Sequence, residues 1–166
     1  MNKKANKKGF TLIELLIVIA LIAIIAAVAF VALDPLTRFR DARDSARWTD
    51  ATALLSAIKI DQVDNKGKYN WYIGTNASTS VVYQISNATT TSGCDTNCSV
   101  ATSTNHCVNL QALADEGYLA SLPVSPNGDG SWNSALSGYY MEKNVNGSIT
   151  IGACEAENTA SISVSQ

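Results

Sequence analysis

The sequence predicts an α+β protein in which one long N-terminal helix, with a transmembrane half and an amphipathic half, packs on a small antiparallel β-sheet. Three observations support this class. An apolar segment fills residues 15–33, a helical pattern of apolar positions continues to Asn65, and strand-like segments follow in the second half of the chain. Helix first and strands afterwards is an order typical of α+β architecture.

The apolar segment is long enough to cross a membrane. Residues 15–33 are nineteen uncharged residues, and at about 1.5 Å rise per residue their helix comes close to the roughly 30 Å hydrocarbon core of a bilayer. Lys3, Lys4, Lys7 and Lys8 precede this segment, whereas charges of both signs follow it. This asymmetry predicts a cytoplasmic N-terminus, with everything after the segment outside the cytoplasm.

A single carboxylate, Glu14, lies at the start of the apolar segment. A charge there costs free energy, up to about 2.5–3.5 kcal/mol at a helix centre and less near the end, so it requires a partner or a function. Cleavage between Gly9 and Phe10 would create an α-amino group one helical turn from Glu14. An incoming subunit could then offer its amine to the carboxylate.

The segment KKGFTLIELLIVIALIAIIAA resembles the class III signal of type IV prepilins and of the related pseudopilins of type II secretion. The resemblance covers roughly the first 30 residues and is looser beyond them. It implies that a prepilin peptidase cuts after Gly9 and methylates Phe10. It also implies that Glu14 guides the assembly of subunits into a filament.

The resemblance further implies a structural subunit of a type IV pilus-like filament, with a major pseudopilin of a type II secretion system as the alternative. The implied partners are further copies of the chain, the peptidase, an assembly platform with its ATPase complex, and the membrane. The precursor is expected in the cytoplasmic (inner) membrane and the filament in the periplasm or outside the cell. The expected regions are a basic leader (1–9), a transmembrane and assembly helix (10–33) and an extracytoplasmic pilin-like globular domain (34–166).

Other interpretations of the N-terminus explain less. A secretory signal peptide would place its apolar core before the cleavage site, whereas here the glycine precedes the apolar segment. A simple membrane anchor, or a tethered binding domain that never polymerises, leaves Glu14 and the Gly9–Phe10 junction unexplained. The first proline is Pro35, later than the helix-disrupting proline of many pilins. With Asp34 as its cap, it could open a resumed helix.

Composition narrows the possible functions. Without the four leader lysines the chain has 8 basic and 14 acidic residues, a formal charge of −6, so direct nucleic-acid binding is not predicted. The sole histidine, His106, has no convincing nucleophile and orienting acid, and no phosphate-binding loop is present. We therefore expect no enzymatic activity.

The four cysteines, Cys94, Cys98, Cys107 and Cys154, all lie on the expected outer side of the membrane, where disulfides can form. Three pairings are possible. The favoured one joins Cys94 to Cys98 and Cys107 to Cys154, because the second bond would pin the last strand to the middle of the domain and close a long loop. A zinc site with His106 is the rival interpretation, although the usual ligand spacing is absent.

The segment from Pro35 to Asn65 has the pattern of an amphipathic helix ended by Asn65-Lys66-Gly67. Residues at helical spacing form the stripe that we expect to face a sheet: Ala42, Ala46, Thr49, Ala53, Leu54, Leu55, Ala57, Ile58 and Ile60. Two charge pairs, Arg40 with Asp44 and Arg47 with Asp50, are spaced for exposed ion pairs. A solvated face is the simpler interpretation of these pairs, and contacts between subunits are the alternative.

Strand candidates from the pattern are residues 69–73 and 81–85. Residues 138–144 and 147–155 are similar to the C-terminal half of many pilins and pseudopilins, which implies two late strands there, and Asn146-Gly147 suits a hairpin turn between them. A short helix is expected from Cys107 to Leu113, before Gly117. Residues 87–105 have the composition of an exposed loop.

One loop is a weak candidate for calcium binding. Asn127, Asp129 and Ser131 alternate around two glycines in a proline-bounded loop, and the resemblance implies calcium in this neighbourhood for major pseudopilins. Calcium takes six to eight oxygen ligands, and a single carboxylate supplies few of them. Ordinary turn chemistry is the simpler interpretation, so no cofactor is expected.

Overall fold

The computed structural model describes residues 9–87, 94–103 and 107–166. The chain divides into two compact units, Met1–Arg38 and Phe39–Gln166. Helix α1 is Leu12–Leu33, and none of its residues is buried. Among the described residues, one helical region is long and apolar enough to cross a membrane, and α1 forms its first part.

The helical region is interrupted at Asp34, which has a left-handed backbone (φ 36°). Pro35 follows directly, and a residue before proline is disfavoured in the right-handed α conformation, so the helix breaks at this position. Helix α2, Pro35–Asp64, begins directly afterwards. The Asp34 carboxylate accepts the Thr37 hydroxyl at 2.6 Å, and its carbonyl accepts the Arg38 amide at 3.3 Å. The prediction that Pro35 opens a resumed helix with Asp34 as its cap is confirmed.

Five strands form one mixed sheet in the order β2-β1-β3-β4-β5. Only the edge pair β1–β2 is parallel, and the other three pairs are antiparallel. The strands are β1 Val82–Ser86, β2 Val108–Asn109, β3 Tyr139–Lys143, β4 Ile149–Ala153 and β5 Ser163–Ser165. A small antiparallel sheet was expected, but its edge pair β1–β2 is parallel. This is possible because β2 follows β1 only after the long connection that carries three cysteines.

The core lies between α2 and one face of the sheet. Leu54 and Ile58 of the helix and Ile85, Met141 and Ile151 of the strands are all fully buried in one cluster. Burial of each such side chain stabilises the fold by about 1.5–3 kcal/mol. The late hairpin is confirmed in β3 and β4.

The helix turns a different face to the sheet than its small residues suggested. Ala51, Leu54, Leu55, Ala57 and Ile58 are buried, together with the ionisable side chains Asp44, Arg47 and Asp61. Four positions of the expected stripe, Ala42, Thr49, Ala53 and Ile60, are exposed instead. Lys66 and Gly67 end the helix in the left-handed conformation, as predicted.

Two local predictions are wrong. Residues 69–73 do not form a strand, because the Asn70 side chain accepts the Tyr72 amide at 3.0 Å and starts the short helix α3, Trp71–Asn76. The expected helix from Cys107 begins only at Gln111, as α4, Gln111–Asp115, since β2 occupies the residues before it.

Candidate processing and assembly site

The expected cleavage junction lies outside any helix. Gly9 and Phe10 are exposed and precede α1. A Cβ atom built on Gly9 would meet nothing within 4 Å, and its backbone is not in the left-handed region. Packing against the described residues, from Gly9 onwards, therefore does not require glycine at position 9. A requirement for glycine there would have to come from another molecule.

Thr11 caps α1 and holds Glu14 in a reciprocal pair of hydrogen bonds. The Glu14 carboxylate accepts the Thr11 amide at 2.9 Å and the Thr11 hydroxyl at 2.8 Å, while the hydroxyl oxygen accepts the Glu14 amide at 3.3 Å. This arrangement is a capping box. Both bonds to the carboxylate end on Oε2. The Glu14 carboxylate was expected to need a partner from an incoming subunit, but it already accepts two hydrogen bonds from Thr11, one helical turn away.

Beyond Glu14, α1 presents an apolar surface on every side. Its side chains include Ile17, Leu21 and Ile25, all more than half exposed. A helix that is hydrophobic all round must be covered by lipid or by other protein. Among the described residues of its own unit, 9–38, nothing covers α1, since none of its residues is buried.

A second group of functional interest, missed in the sequence, surrounds the buried side chain of Arg47. Its guanidinium donates to Asp44 at 2.7 Å and to Glu157 at 2.8 Å, and lies 3.3 Å from Glu155. It also donates to the carbonyl of Pro126 at 3.0 Å. Arg47 is fully buried, so these acceptors replace its hydration. The bonds fix α2 to the segment that follows β4.

The same network corrects the predicted exposed ion pairs. Arg47 does not pair with Asp50, whose carboxylate instead accepts the hydroxyl of Tyr139 at 2.6 Å. Asp44 is buried and accepts the backbone amides of Glu157 and Asn158 at 3.1 and 2.9 Å. Charge spacing along α2 gave no sign of these donors, because the amides that reach Asp44 lie more than 100 residues further along the chain and Tyr139 lies 89 residues beyond Asp50.

The network lowers the pKa values of Glu157 and Asp44. The hydrogen bond from Arg43 is the largest cause that holds the pKa of Glu157 at about 2; the bond from Arg47 adds to it, and both act against burial. Burial raises the pKa of Asp44, but the amides of Asn158 and Glu157 and the Arg47 guanidinium outweigh it, so this pKa is lowered as well. Both groups are charged at neutral pH.

All four cysteines form disulfides, but the favoured pairing is wrong. Cys94 is bonded to Cys107 and Cys98 to Cys154. The amides of residues 102 and 103 both donate to the Val82 carbonyl, at 3.0 and 3.1 Å, and so return the connecting segment to the start of β1. This path, which the sequence did not reveal, determines which cysteines meet.

The calcium candidates lie in a loop that is organised by Glu155. This carboxylate accepts the amides of Asp129 at 2.6 Å and Gly130 at 3.3 Å, and the indole N–H of Trp132 at 3.0 Å. The Asn127 side chain accepts the Trp132 amide at 2.7 Å. Asp129 and Ser131 are exposed. Calcium binding at Asn127, Asp129 and Ser131 stays a prediction, which a calcium titration of the full chain would test.

The N-terminal segment matches a known family model. Residues 4–30 match the prokaryotic N-terminal methylation motif, which is the class III signal of type IV pilins and pseudopilins. The match covers the Gly9–Phe10 junction, Glu14 and most of α1, so this part of the chain is similar to the N-terminus of those proteins. No curated protein and no solved structure matches the chain significantly.

Proposed function

We propose that the protein is the structural subunit of a type IV pilus-like filament. The precursor is anchored in the cytoplasmic membrane by α1, with residues 34–166 outside the cytoplasm. A prepilin peptidase cuts it after Gly9 and methylates Phe10, and an assembly platform with its ATPase complex moves the product into the filament. The observation that carries the proposal is the motif at residues 4–30 together with an α1 that buries none of its residues.

In the proposed filament, contact between α1 helices replaces contact with lipid. The helix lacks charged side chains after Glu14. Its surface can therefore face lipid in the membrane and other α1 helices in the filament. A hydrocarbon solvent gives apolar side chains no preference for each other, and association then depends on close packing and polar contacts. Glu14 supplies such a polar contact if the α-amine of Phe10 on an adjacent subunit reaches it.

The capping box is compatible with that step. Thr11 engages Oε2 of Glu14, and no described residue donates a hydrogen bond to Oε1. The incoming ammonium can therefore bind Oε1 without breaking the cap. In the proposed order of events, Thr11 orients the carboxylate in the precursor and Phe10 of the neighbour completes its partners.

Processing is tested by co-expression with a prepilin peptidase. The assembled chain should lose nine residues and carry one added methyl group on Phe10, as read by mass spectrometry. Gly9→Val should block both changes, because the peptidase is expected to require glycine at the cut. The described residues leave room for a side chain there, so misfolding would not explain the loss. Ala5→Val, in the same leader but away from the junction, is the matched control. Assembled material with an intact N-terminus would refute the proposal.

The alternative function is a major pseudopilin, which the proline-bounded loop around Asp129 and the Gly138-Tyr139-Tyr140 sequence at the start of β3 favour. The two functions place the filament differently. Immunogold labelling of intact cells, with an antibody to the extracytoplasmic residues, should decorate surface filaments if the protein is a pilin. Label that appears only after the outer envelope is opened would favour the pseudopilin. Processed subunits that stay monomeric would indicate a tethered binding domain.

A further inference from the structure

Two arginine side chains lie just beyond the apolar segment, at the start of α2. Arg38 follows Leu33, the last residue of α1, by five positions, and Arg40 follows it by seven. At a helical rise of about 1.5 Å per residue, these positions lie roughly 8 and 11 Å further along the chain. Both side chains are exposed. Filament assembly as proposed above makes no use of them.

Neither guanidinium is engaged by the described part of the chain. The ion pairs among the described residues are all made by Arg43 and Arg47, further along α2. No described residue accepts a hydrogen bond from the side chain of Arg38 or Arg40, although a guanidinium presents five N–H donors. The arginines that hold the domain together are thus paired, whereas the two nearest to the apolar segment can bind another molecule.

The two acids of the same stretch are occupied by neutral donors of this chain. Asp34 accepts the hydroxyl of Thr37 at 2.6 Å, and Asp41 accepts the side-chain amide of Asn158 at 2.8 Å. Neither carboxylate forms an ion pair with the arginines that lie between them. Any ion pair of these two arginines therefore involves an anion from outside the described chain.

Large apolar side chains accompany the two arginines. Leu36 is 69% exposed and Phe39 is 63% exposed. Three positions apart, they lie on the same side of the helix. Water disfavours such exposure, whereas the boundary between lipid tails and headgroups accommodates apolar side chains beside cationic ones. The stretch therefore has the composition of a surface that meets this boundary.

The position of the stretch along the chain fits the headgroup layer of a bilayer. A bilayer is about 30 Å thick in its hydrocarbon core and about 40–45 Å thick with its headgroups, so each headgroup layer is roughly 5–7 Å deep. With the end of α1 at the edge of the core, Arg38 and Arg40 lie within side-chain reach of that layer, because long basic side chains extend towards it. This holds for any angle between the two helices, since the length of chain alone limits the distance.

We propose that residues 36–40 bind phospholipid headgroups on the outer side of the cytoplasmic membrane. The guanidiniums of Arg38 and Arg40 donate to phosphate oxygens, whose geometry matches the arginine fork, while Leu36 and Phe39 face the lipid tails. The inference rests on the membrane anchor in the proposed function. Phosphatidylglycerol fits better than phosphatidylcholine, because its headgroup carries no cation that competes with the arginines. In the precursor, this contact fixes the depth of the chain before assembly.

Native mass spectrometry of the full chain measures the lipid preference. The detergent micelles contain equal amounts of phosphatidylglycerol and phosphatidylcholine, and the lipids that stay bound are counted. The unmodified chain should retain phosphatidylglycerol, and the Arg38→Gln, Arg40→Gln double variant should lose this preference about tenfold. The Lys66→Gln, Lys68→Gln variant removes the same charge from exposed positions after α2 and should stay within about twofold. All variants keep the leader lysines, so any binding there is common to them.

Flotation with vesicles of each lipid separates this inference from the function on which it rests. A chain that floats with the vesicles but shows equal lipid preference in the arginine and lysine variants overturns the headgroup contact alone. A chain that floats with neither kind of vesicle overturns the membrane anchor as well. An arginine variant that keeps its lipid preference but no longer forms filaments also overturns the inference, and assigns the two arginines to a contact with a neighbouring subunit.

Discussion

Glu14 shows how one residue can satisfy two requirements. The sequence alone suggested that its charge needs an external partner, since an unpaired carboxylate in an apolar helix is costly. The structure adds a local solution, because Thr11 donates two hydrogen bonds to it. The carboxylate is therefore tolerable in a single subunit, and under the proposed function the neighbour's amine serves assembly rather than insertion.

This separation predicts that cleavage and assembly respond differently to Glu14. Glu14→Ala should be inserted and cleaved normally but should form few or no filaments, because the incoming Phe10 amine loses its complement. Glu14→Asp should assemble partially. Filament number and length in electron micrographs, with cleavage read by mass spectrometry, measure both steps. Thr11→Ser keeps the capping hydroxyl and is the control expected to assemble normally. Filaments of normal length and number from Glu14→Ala alone would contradict the role given to this carboxylate.

Arg47 is a second residue whose surroundings determine how much its replacement destabilises the folded unit. The sequence places it among several arginines in a charged stretch, yet it is the fully buried one, and Arg40 is exposed. Its removal would leave the buried carboxylate of Asp44 without its cation and the partly buried carboxylate of Glu157 with Arg43 alone.

Arg47→Met should therefore destabilise the folded unit by about 3–5 kcal/mol, the usual cost of removing one partner from a buried ion pair. Arg40→Met should change the free energy of unfolding by no more than about 0.5 kcal/mol, because it alters an exposed position. Urea unfolding of the full chain in micelles measures both. Similar losses in the two variants would show that the Arg47 network does not hold α2.

The lowered pKa values of the same network predict acid sensitivity. Glu157 titrates near pH 2 in the folded chain, against an ordinary value of 4.5. Its contribution to stability is therefore complete above about pH 5 and is lost as the pH falls from there towards 2. Asp44 acts in the same direction. The melting temperature should be constant from pH 7 to pH 5 and should fall at lower pH.

Glu157→Gln is the control for this acid sensitivity, since it removes the carboxyl that titrates. It should be less stable at pH 7, and its melting temperature should fall less between pH 5 and pH 3. Asp61 acts in the opposite direction, because its raised pKa means that protonation stabilises the folded state. A melting temperature of the unmodified chain that does not fall below pH 5 would contradict the account of Glu157.

At the scale of elements, the sequence predicted correctly those features that depend only on residues close together in the chain. The Pro35 helix start, the Gly67 helix end and the hairpin between β3 and β4 follow from residue types at neighbouring positions. The edge strand β5 was missed, since its three residues are too few to show an alternating pattern.

Local rules failed where a distant partner decided the outcome. The face of α2 was misjudged because Asp44 and Arg47 look like surface residues until Glu157 is placed beside them. One failure was local: residues 69–73 have strand-forming side chains, but the overlooked cap at Asn70 starts a helix there. Of the candidate site, the sequence showed the junction and Glu14, because both belong to a contiguous motif. The Arg47 network could not be predicted in this way, since it joins residues from separate parts of the chain.

At the scale of the whole molecule, the two disulfides tie the long connection after β1 into the domain. Cys94–Cys107 closes a loop within that connection, with a sequence separation of 13. Cys98–Cys154 joins it to the residue after β4, with a sequence separation of 56. Because its sequence separation is larger, the second bond constrains a much larger part of the unfolded chain. All four cysteines are fully or partly buried.

Loss of the two bonds should consequently have unequal effects. In the chain-entropy model, the disulfide with the shorter loop stabilises the fold by about 3 kcal/mol and the one with the longer loop by about 4 kcal/mol. The Cys98→Ser, Cys154→Ser double variant should therefore unfold at lower urea than the Cys94→Ser, Cys107→Ser variant, with the full chain in micelles. Both variants lose one disulfide and exchange two sulfurs for hydroxyls, so each is the control for the other. Non-reducing peptide mapping of the unmodified chain should recover Cys94 with Cys107 and Cys98 with Cys154. Recovery of a Cys94–Cys98 peptide, or greater stability of the variant that lacks the longer bond, would contradict the connectivity and this account of its effect.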